Sequence, residues 1–153
     1  MMNKAIYFDM DGTIADLYGV TDWLSKLIAH DPTPYIDAAP LLRLSTLARL
    51  LNTLKRKGYT IGVVSWLSKC PNADYDAAVT AAKVAWLAKH LKSVQWDEIR
   101  IVPYGTPKST VIDTPNGILF DDESGNRTEW EQAGGKAYNV DAIIDTLKAI
   151  AAA

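Results

Sequence analysis

The sequence predicts an α/β protein built on a doubly wound parallel sheet. Three observations carry that expectation. Short apolar runs of strand formers recur along the chain, longer stretches with helical spacing separate them, and acids stand at the ends of two of the runs. Such bounded runs fit strands buried on both faces. Strand alternating with helix implies right-handed crossovers within one sheet.

Ala5-Ile6-Tyr7-Phe8 is the first run, ended by Asp9-Met10-Asp11-Gly12-Thr13. Residues 18–40 break the alternation with Trp23, Tyr35, Pro32, Pro34 and Pro40. A helix near 21–29 followed by a Pro-punctuated loop would form a small lid over the end of the first strand. Residues 41–57 carry Leu44, Leu47, Leu51 and Leu54 on one helical face, closed by Gly58. The second strand, Ile61-Gly62-Val63-Val64, ends at Ser65. Residues 73–91 form an Ala-rich helix with Val79, Val84, Leu87 and Leu91 as its buried stripe. Ile99-Arg100-Ile101-Val102 is the third strand, and Ile118-Leu119-Phe120, ended by Asp121-Asp122, is the fourth. Lys136-Ala137-Tyr138 is a weaker fifth after Gly134-Gly135. A last helix over 141–151 takes Asp141 as N-cap and buries Ile143, Ile144, Leu147 and Ile150.

The 153 residues suit one domain spanning 1–153, with the insert at about 18–40 too small for a second core. At 48% hydrophobic and 22% charged, the chain is neither a disordered tail nor a fibre. Cys70 is its single cysteine, which excludes an internal disulfide framework and a Cys-rich metal site. No apolar run approaches the ~20 residues that cross a bilayer. Lys4 leads directly into a strand, unlike a secretory leader, so a cytoplasmic setting is expected. A net charge of −2 gives no support for bulk nucleic-acid binding.

Asp9 and Asp11 end one strand and Asp121 and Asp122 another. Ligands of open α/β sheets bind beyond the carboxyl ends of the strands, where the strand order reverses. If the first and fourth strands are neighbours, four carboxylates converge, and such crowding needs a compensating cation. With all-oxygen ligands and no His or Cys nearby, that cation is Mg²⁺, not zinc. Positions i and i+2 of an extended segment project to one side, so Asp9 and Asp11 can face the same substrate. One can attack an electrophile while the other handles a proton, and phosphorus beside Mg²⁺ suits a carboxylate nucleophile. Gly12 permits close backbone approach, and Thr13 offers a hydroxyl to an oxyanion. Phosphoryl oxygens would find further donors at Ser65, at the neighbouring Trp66 backbone and at Lys108, in the loop Tyr104-Gly105-Thr106-Pro107-Lys108.

Asp9-Met10-Asp11-Gly12-Thr13, then Ser65, Lys108 and Asp121-Asp122, together resemble the four-motif signature of the haloacid dehalogenase (HAD) superfamily. The order matches across nearly the whole chain. The resemblance implies a Rossmann-like, five-stranded parallel sheet in the order 3-2-1-4-5, flanked by helices, with a minimal cap inserted after strand 1. It implies phosphotransfer through Asp9 as nucleophile with Asp11 as general acid/base, and phosphate held by Ser65 and Lys108. Mg²⁺ would lie on Asp9, the Asp11 backbone carbonyl and Asp122, supported by Asp121. Lys83-x-x-Trp86-Leu87 and Leu119-Phe120-Asp121-Asp122 are similar to the 5′(3′)-deoxyribonucleotidase branch, which implies a nucleoside monophosphate substrate. The second motif, Val64-Ser65-Trp66, and the shorter cap both depart from that branch.

Lys83 competes with Lys108 for the phosphate, but its helical position gives it the expectation of a surface charge. Trp66, Ser68 and Lys69, with Tyr18 and Trp23 in the lid, could contact a substrate base or leaving group, or simply pack. His30, His90 and Cys70 receive no role. The leading expectation is a Mg²⁺-dependent phosphomonoesterase acting on a small phosphorylated substrate. The alternatives are a phosphatase of nucleic-acid ends and a phosphate- and Mg²⁺-binding module without turnover. A phosphorylated signalling receiver is disfavoured, because it would carry an adjacent acid pair after strand 1 and an acid after strand 3, where this chain has Val102-Pro103-Tyr104.

Overall fold

In the computed structural model, which describes residues 4–153, the elements follow the predicted alternation. They are β1 (Ala5–Phe8), β2 (Ala15–Asp16), α1 (Trp23–Ile28), α2 (Thr33–Asp37), β3 (Ala39–Pro40), α3 (Leu44–Arg56) and β4 (Thr60–Trp66). Then come α4 (Ala73–His90), β5 (Glu98–Val102), β6 (Ile118–Phe120), α5 (Ser124–Gln132), β7 (Lys136–Tyr138) and α6 (Ile143–Ala152). Five strands form one sheet in the order β5-β4-β1-β6-β7, every pair parallel. Counting only these five, the order is 3-2-1-4-5.

Alternation along β1 divides the core. Ile6 and Phe8 face Leu47, Leu51 and Leu54 of α3, Leu87 of α4 and Leu147 of α6. Ala5 and Tyr7 face Val64, Leu119 and Trp130 on the other side. Phe8 pairs with Val63 on one side and Phe120 on the other, so the residues following β1 and β6 emerge level with each other. The Asp9 N–H closes this register on the Phe120 carbonyl at 2.9 Å.

Between β1 and α3, the antiparallel pair β2–β3 sets Ala15 opposite Pro40 and Asp16 opposite Ala39, enclosing the insert. The Pro-punctuated stretch expected as loop instead carries α2, with Pro34 in its first turn, where a missing N–H costs nothing. Leu17 and Tyr35 of the insert pack on Tyr75, Val79 and Ala82 of α4.

Two further expectations are corrected, and one element is new. Val84 is 42% exposed, and the buried stripe of α4 runs instead through Val79, Ala82, Lys83, Trp86 and Leu87. Asp141 lies within a 3-10 turn; Asn139 caps that turn by accepting from the Val140 N–H, and α6 begins two residues after Asp141. Helix α5 was not expected. Trp130 anchors it, donating its indole N–H to the Gly117 carbonyl at 2.9 Å. Among the described residues, no helix is long and apolar enough to cross a membrane.

Candidate active site

The acids meet where the register predicts. Carboxylate oxygens of Asp9, Asp121 and Asp122 lie within 4.8 Å of one another. Lys108, buried to 2% exposure, bridges two of them, donating to Asp9 Oδ1 at 2.9 Å and Asp121 Oδ2 at 2.7 Å. Burial opposes its charge, but Asp9 and Asp121 hold its proton above the ordinary lysine range. Thr13 donates to Asp9 Oδ2 at 3.1 Å and accepts from the Asp122 N–H at 3.3 Å, tying the two strand ends together. Its hydroxyl is therefore engaged with the acids.

Gly12 has φ +81, in the left-handed region. A Cβ there would lie 2.4 Å from Asp122 Oδ2, so only glycine allows this loop to close on the acid pair. The loop is further fixed by the Thr13, Ile14 and Ala15 N–H groups, all donating to the Met10 carbonyl.

Asp11 stands beside this cluster, outside the group of three. Its Oδ2 accepts from Lys83 Nζ at 2.9 Å. Lys83 also donates to Ser65 Oγ and to the Trp66 carbonyl, each at 2.7 Å. At 1% exposure it is no surface charge: it enters the site from the buried face of α4. Its burial in the site runs against the surface charge expected from its helical position. Its signal was position, because residues 79, 82, 83, 86 and 87 form one i, i+3, i+4, i+7, i+8 face.

Burial lifts the Asp11 carboxyl above the usual range; Lys83 works against this and Asp9 adds to it. Asp122 is pushed up to about 7 by partial burial and by repulsion from Asp9 and Asp121. Burial and Asp9 likewise raise Asp121, against the pull of Lys108. Asp121 is held by the Glu123 N–H at 2.9 Å and by Asn126 Nδ2 at 3.1 Å. Four carboxylates face two ammonium groups, which leaves a deficit of two positive charges when all are ionised. A hard divalent cation matches that deficit and the all-oxygen donor set.

A cleft of about 450 Å³ opens from Asp9, Asp11, Lys108 and Asp122. Trp66 lines it with its ring, while its indole N–H donates to the Thr106 carbonyl at 2.8 Å. Ser65 is fully buried behind the cleft, reached through Lys83. Tyr18 and Trp23 of the insert meet edge-on, with ring centroids 4.9 Å apart, and both line the opening. Ser68, Lys69 and Cys70 lie along the same wall, whereas His30 and His90 pack against Tyr75 and Trp86.

No protein-family model matches the sequence, and no curated protein does so either. Solved structures share the fold. A protein from Mesorhizobium loti described as an HAD-like phosphatase superposes with TM-score 0.60 at 17% identity, over 97% of this chain and 86% of that one. An HAD-family enzyme from Bacteroides thetaiotaomicron gives TM-score 0.54 at 12% identity, covering 91% and 94%. The D,D-heptose 1,7-bisphosphate phosphatase of B. bronchiseptica, solved with magnesium and phosphate, gives 0.55 at 17% identity, covering 88% and 78%. The chain therefore has the fold of the HAD phosphatases, as its four motifs led one to expect.

Proposed function

We propose that this chain is a Mg²⁺-dependent phosphomonoester hydrolase working through an aspartyl-phosphate on Asp9. One observation carries the reading: the termini of adjacent parallel strands bring Asp9, Asp121 and Asp122 together around the buried ammonium of Lys108. The magnesium and phosphate of the B. bronchiseptica neighbour support it.

Asp9, Asp122 and the Asp11 backbone carbonyl would hold Mg²⁺, with Asp121 orienting Lys108 beside them. When bound, the ion offsets negative charge on the phosphoryl oxygens and brings the substrate close to the carboxylate. Asp9 forms the new O–P bond as the ester P–O bond breaks, and protonated Asp11 gives its proton to the leaving oxygen. Asp11 then takes a proton from water, whose oxygen attacks phosphorus. The bond to Asp9 breaks, inorganic phosphate leaves, and both carboxyl groups return to their starting states. Lys108 stabilises charge at Asp9 and on the transferring group, and Lys83 orients Asp11 and Ser65. Residues 18–40 act as a reduced cap. Small phosphomonoesters are the substrate class, with nucleoside monophosphates as the finer candidate.

Release of inorganic phosphate from p-nitrophenyl phosphate should require Mg²⁺ and stop with EDTA. Asp9→Asn should lower it by about 10³-fold or more with the fold intact by circular dichroism. A variant retaining several per cent of the activity contradicts the mechanism, and no Mg²⁺-dependent release by the parent chain points to the module without turnover.

A further inference from the structure

Beyond the acid centre the cleft changes character. Helix α1 presents Leu24 and Ile28 at 51% and 62% exposure, and Tyr18 and Tyr104 stand 51% and 46% exposed. All four line the same cleft as Asp9 and Lys108. Apolar groups left in water at the mouth of a polar centre mark a surface that gains free energy when a ligand covers it. Three polar groups along the wall are already engaged within the protein. Ser68 Oγ bonds the Cys70 backbone, Asn126 Nδ2 donates to Asp121, and the Trp66 indole N–H donates to Thr106. Lys69 sits over the Tyr104 ring at 5.1 Å. A leaving group rich in hydroxyls would lose its hydration against the Leu24 and Ile28 side chains, which offer it no hydrogen bond in return. A hydrocarbon ring would cover the α1 residues and stack on the Tyr18–Trp23 or Trp66–Tyr104 pairs, whose centroids lie 4.9 and 4.8 Å apart.

We infer that the preferred substrates are phosphomonoesters whose leaving group carries an apolar or aromatic ring, and that polyhydroxylated sugar phosphates are poor substrates. This rests on the phosphatase reading above and adds to it the chemistry of the alcohol released. The continuity of the apolar wall with Asp9 and Lys108 favours such a ligand over a second protein chain as its occupant.

The test compares 2-phenylethyl phosphate with glucose 6-phosphate. Both are esters of primary alcohols, so intrinsic leaving ability is matched and the ratio of kcat/KM reports the wall. The expected ratio is at least about tenfold in favour of the phenylethyl ester, the discrimination an apolar pocket gives for a few methylenes. The double variant Leu24→Ser/Ile28→Ser, altered only at exposed positions, should bring the ratio down several-fold. A parent ratio at or below one overturns the inference while leaving the phosphatase reading standing, as does a ratio the double variant leaves unchanged. If the double variant shifts the oligomeric state without moving the ratio, the wall is a contact between copies and the inference is wrong. If no ester is hydrolysed, the phosphatase reading fails, and quenching of tryptophan fluorescence then decides the wall separately. Tighter binding of 2-phenylethylphosphonate than of glycerol phosphate upholds the apolar wall, and equal or weaker binding rejects it.

Discussion

Lys83 donates to Asp11 Oδ2, Ser65 Oγ and the Trp66 carbonyl, three acceptors for the three N–H bonds of one ammonium. So saturated a group is fixed, and its charge is delivered to the side of Asp11. Lys83→Met keeps the length of the side chain and removes the charge. It should lower kcat/KM by about 100-fold, as loss of one preorganised donor does. Lys83→Arg should not restore it, because a planar fork does not reproduce three converging bonds. Steady-state kinetics with a thermal melt checks this, and an unchanged kcat/KM in Lys83→Met would reduce Lys83 to packing. Lysine is ordinarily read as solvated, and its stem lets it lie along an apolar face with its head in water. Apolar spacing alone therefore favoured Val84. The strand-end acids were legible because an acid ending a fully apolar run has few purely structural reasons to be there.

Helix α5 works as a splint between two parts of the site. At one end Asn126 holds Asp121, and Arg127 donates to the Asp121 carbonyl at 3.0 Å. One turn further on, the Glu129 carboxylate takes the Ser109 N–H at 3.0 Å and, in a short bond, the Ser109 hydroxyl. Ser109 follows Lys108 in a 3-10 turn, so Glu129 fixes the turn that carries the ammonium. Glu129→Ala should reduce kcat by about tenfold, the low end of what outer partners of a site contribute. KM should move less, and Glu129→Gln should recover part of the loss through its remaining acceptor. Equal loss in both variants, or a change in KM alone, would contradict the splint. This helix was hidden in the sequence because Ser124–Gln132 is almost wholly polar and offers one large apolar anchor, Trp130. By contrast α3 was visible, with Leu47, Leu51 and Leu54 on one face and Gly58, at φ +91, just past its end.

Across the whole molecule, folding drives strand ends of one charge sign together, and Lys83 and Lys108 compensate only part of that repulsion. Asp122 titrates at about 7 in the folded chain against an ordinary value of 3.8. Between those values the folded state binds more protons than the unfolded one, so this group makes stability fall as pH rises from about 4 to 7. Magnesium should reverse the trend. At pH 8 and a hundredfold above its Kd it should add about 2.7 kcal/mol, raising Tm by about 5–10 °C. At pH 5 the ion must displace a proton held about two pH units above the solution, which weakens its binding about 100-fold and removes most of the gain. Scanning calorimetry at both pH values, with and without Mg²⁺, checks this; an equal gain at both would separate Asp122 from the metal. The alternation of strand and helix was legible at this scale from apolar runs. The strand order was not, since spacing along a chain does not say which strands pair, and it came from the four motifs taken together. The most direct measurement uses Asp11→Asn with Mg²⁺ and p-nitrophenyl phosphate, whose phenolate leaves without a proton. Transfer to Asp9 should then outrun hydrolysis, and acid quenching followed by peptide mass spectrometry should find one hydroxylamine-sensitive phosphoryl group on Asp9. A phosphoryl group on any other residue, or none during continued turnover, would contradict the account.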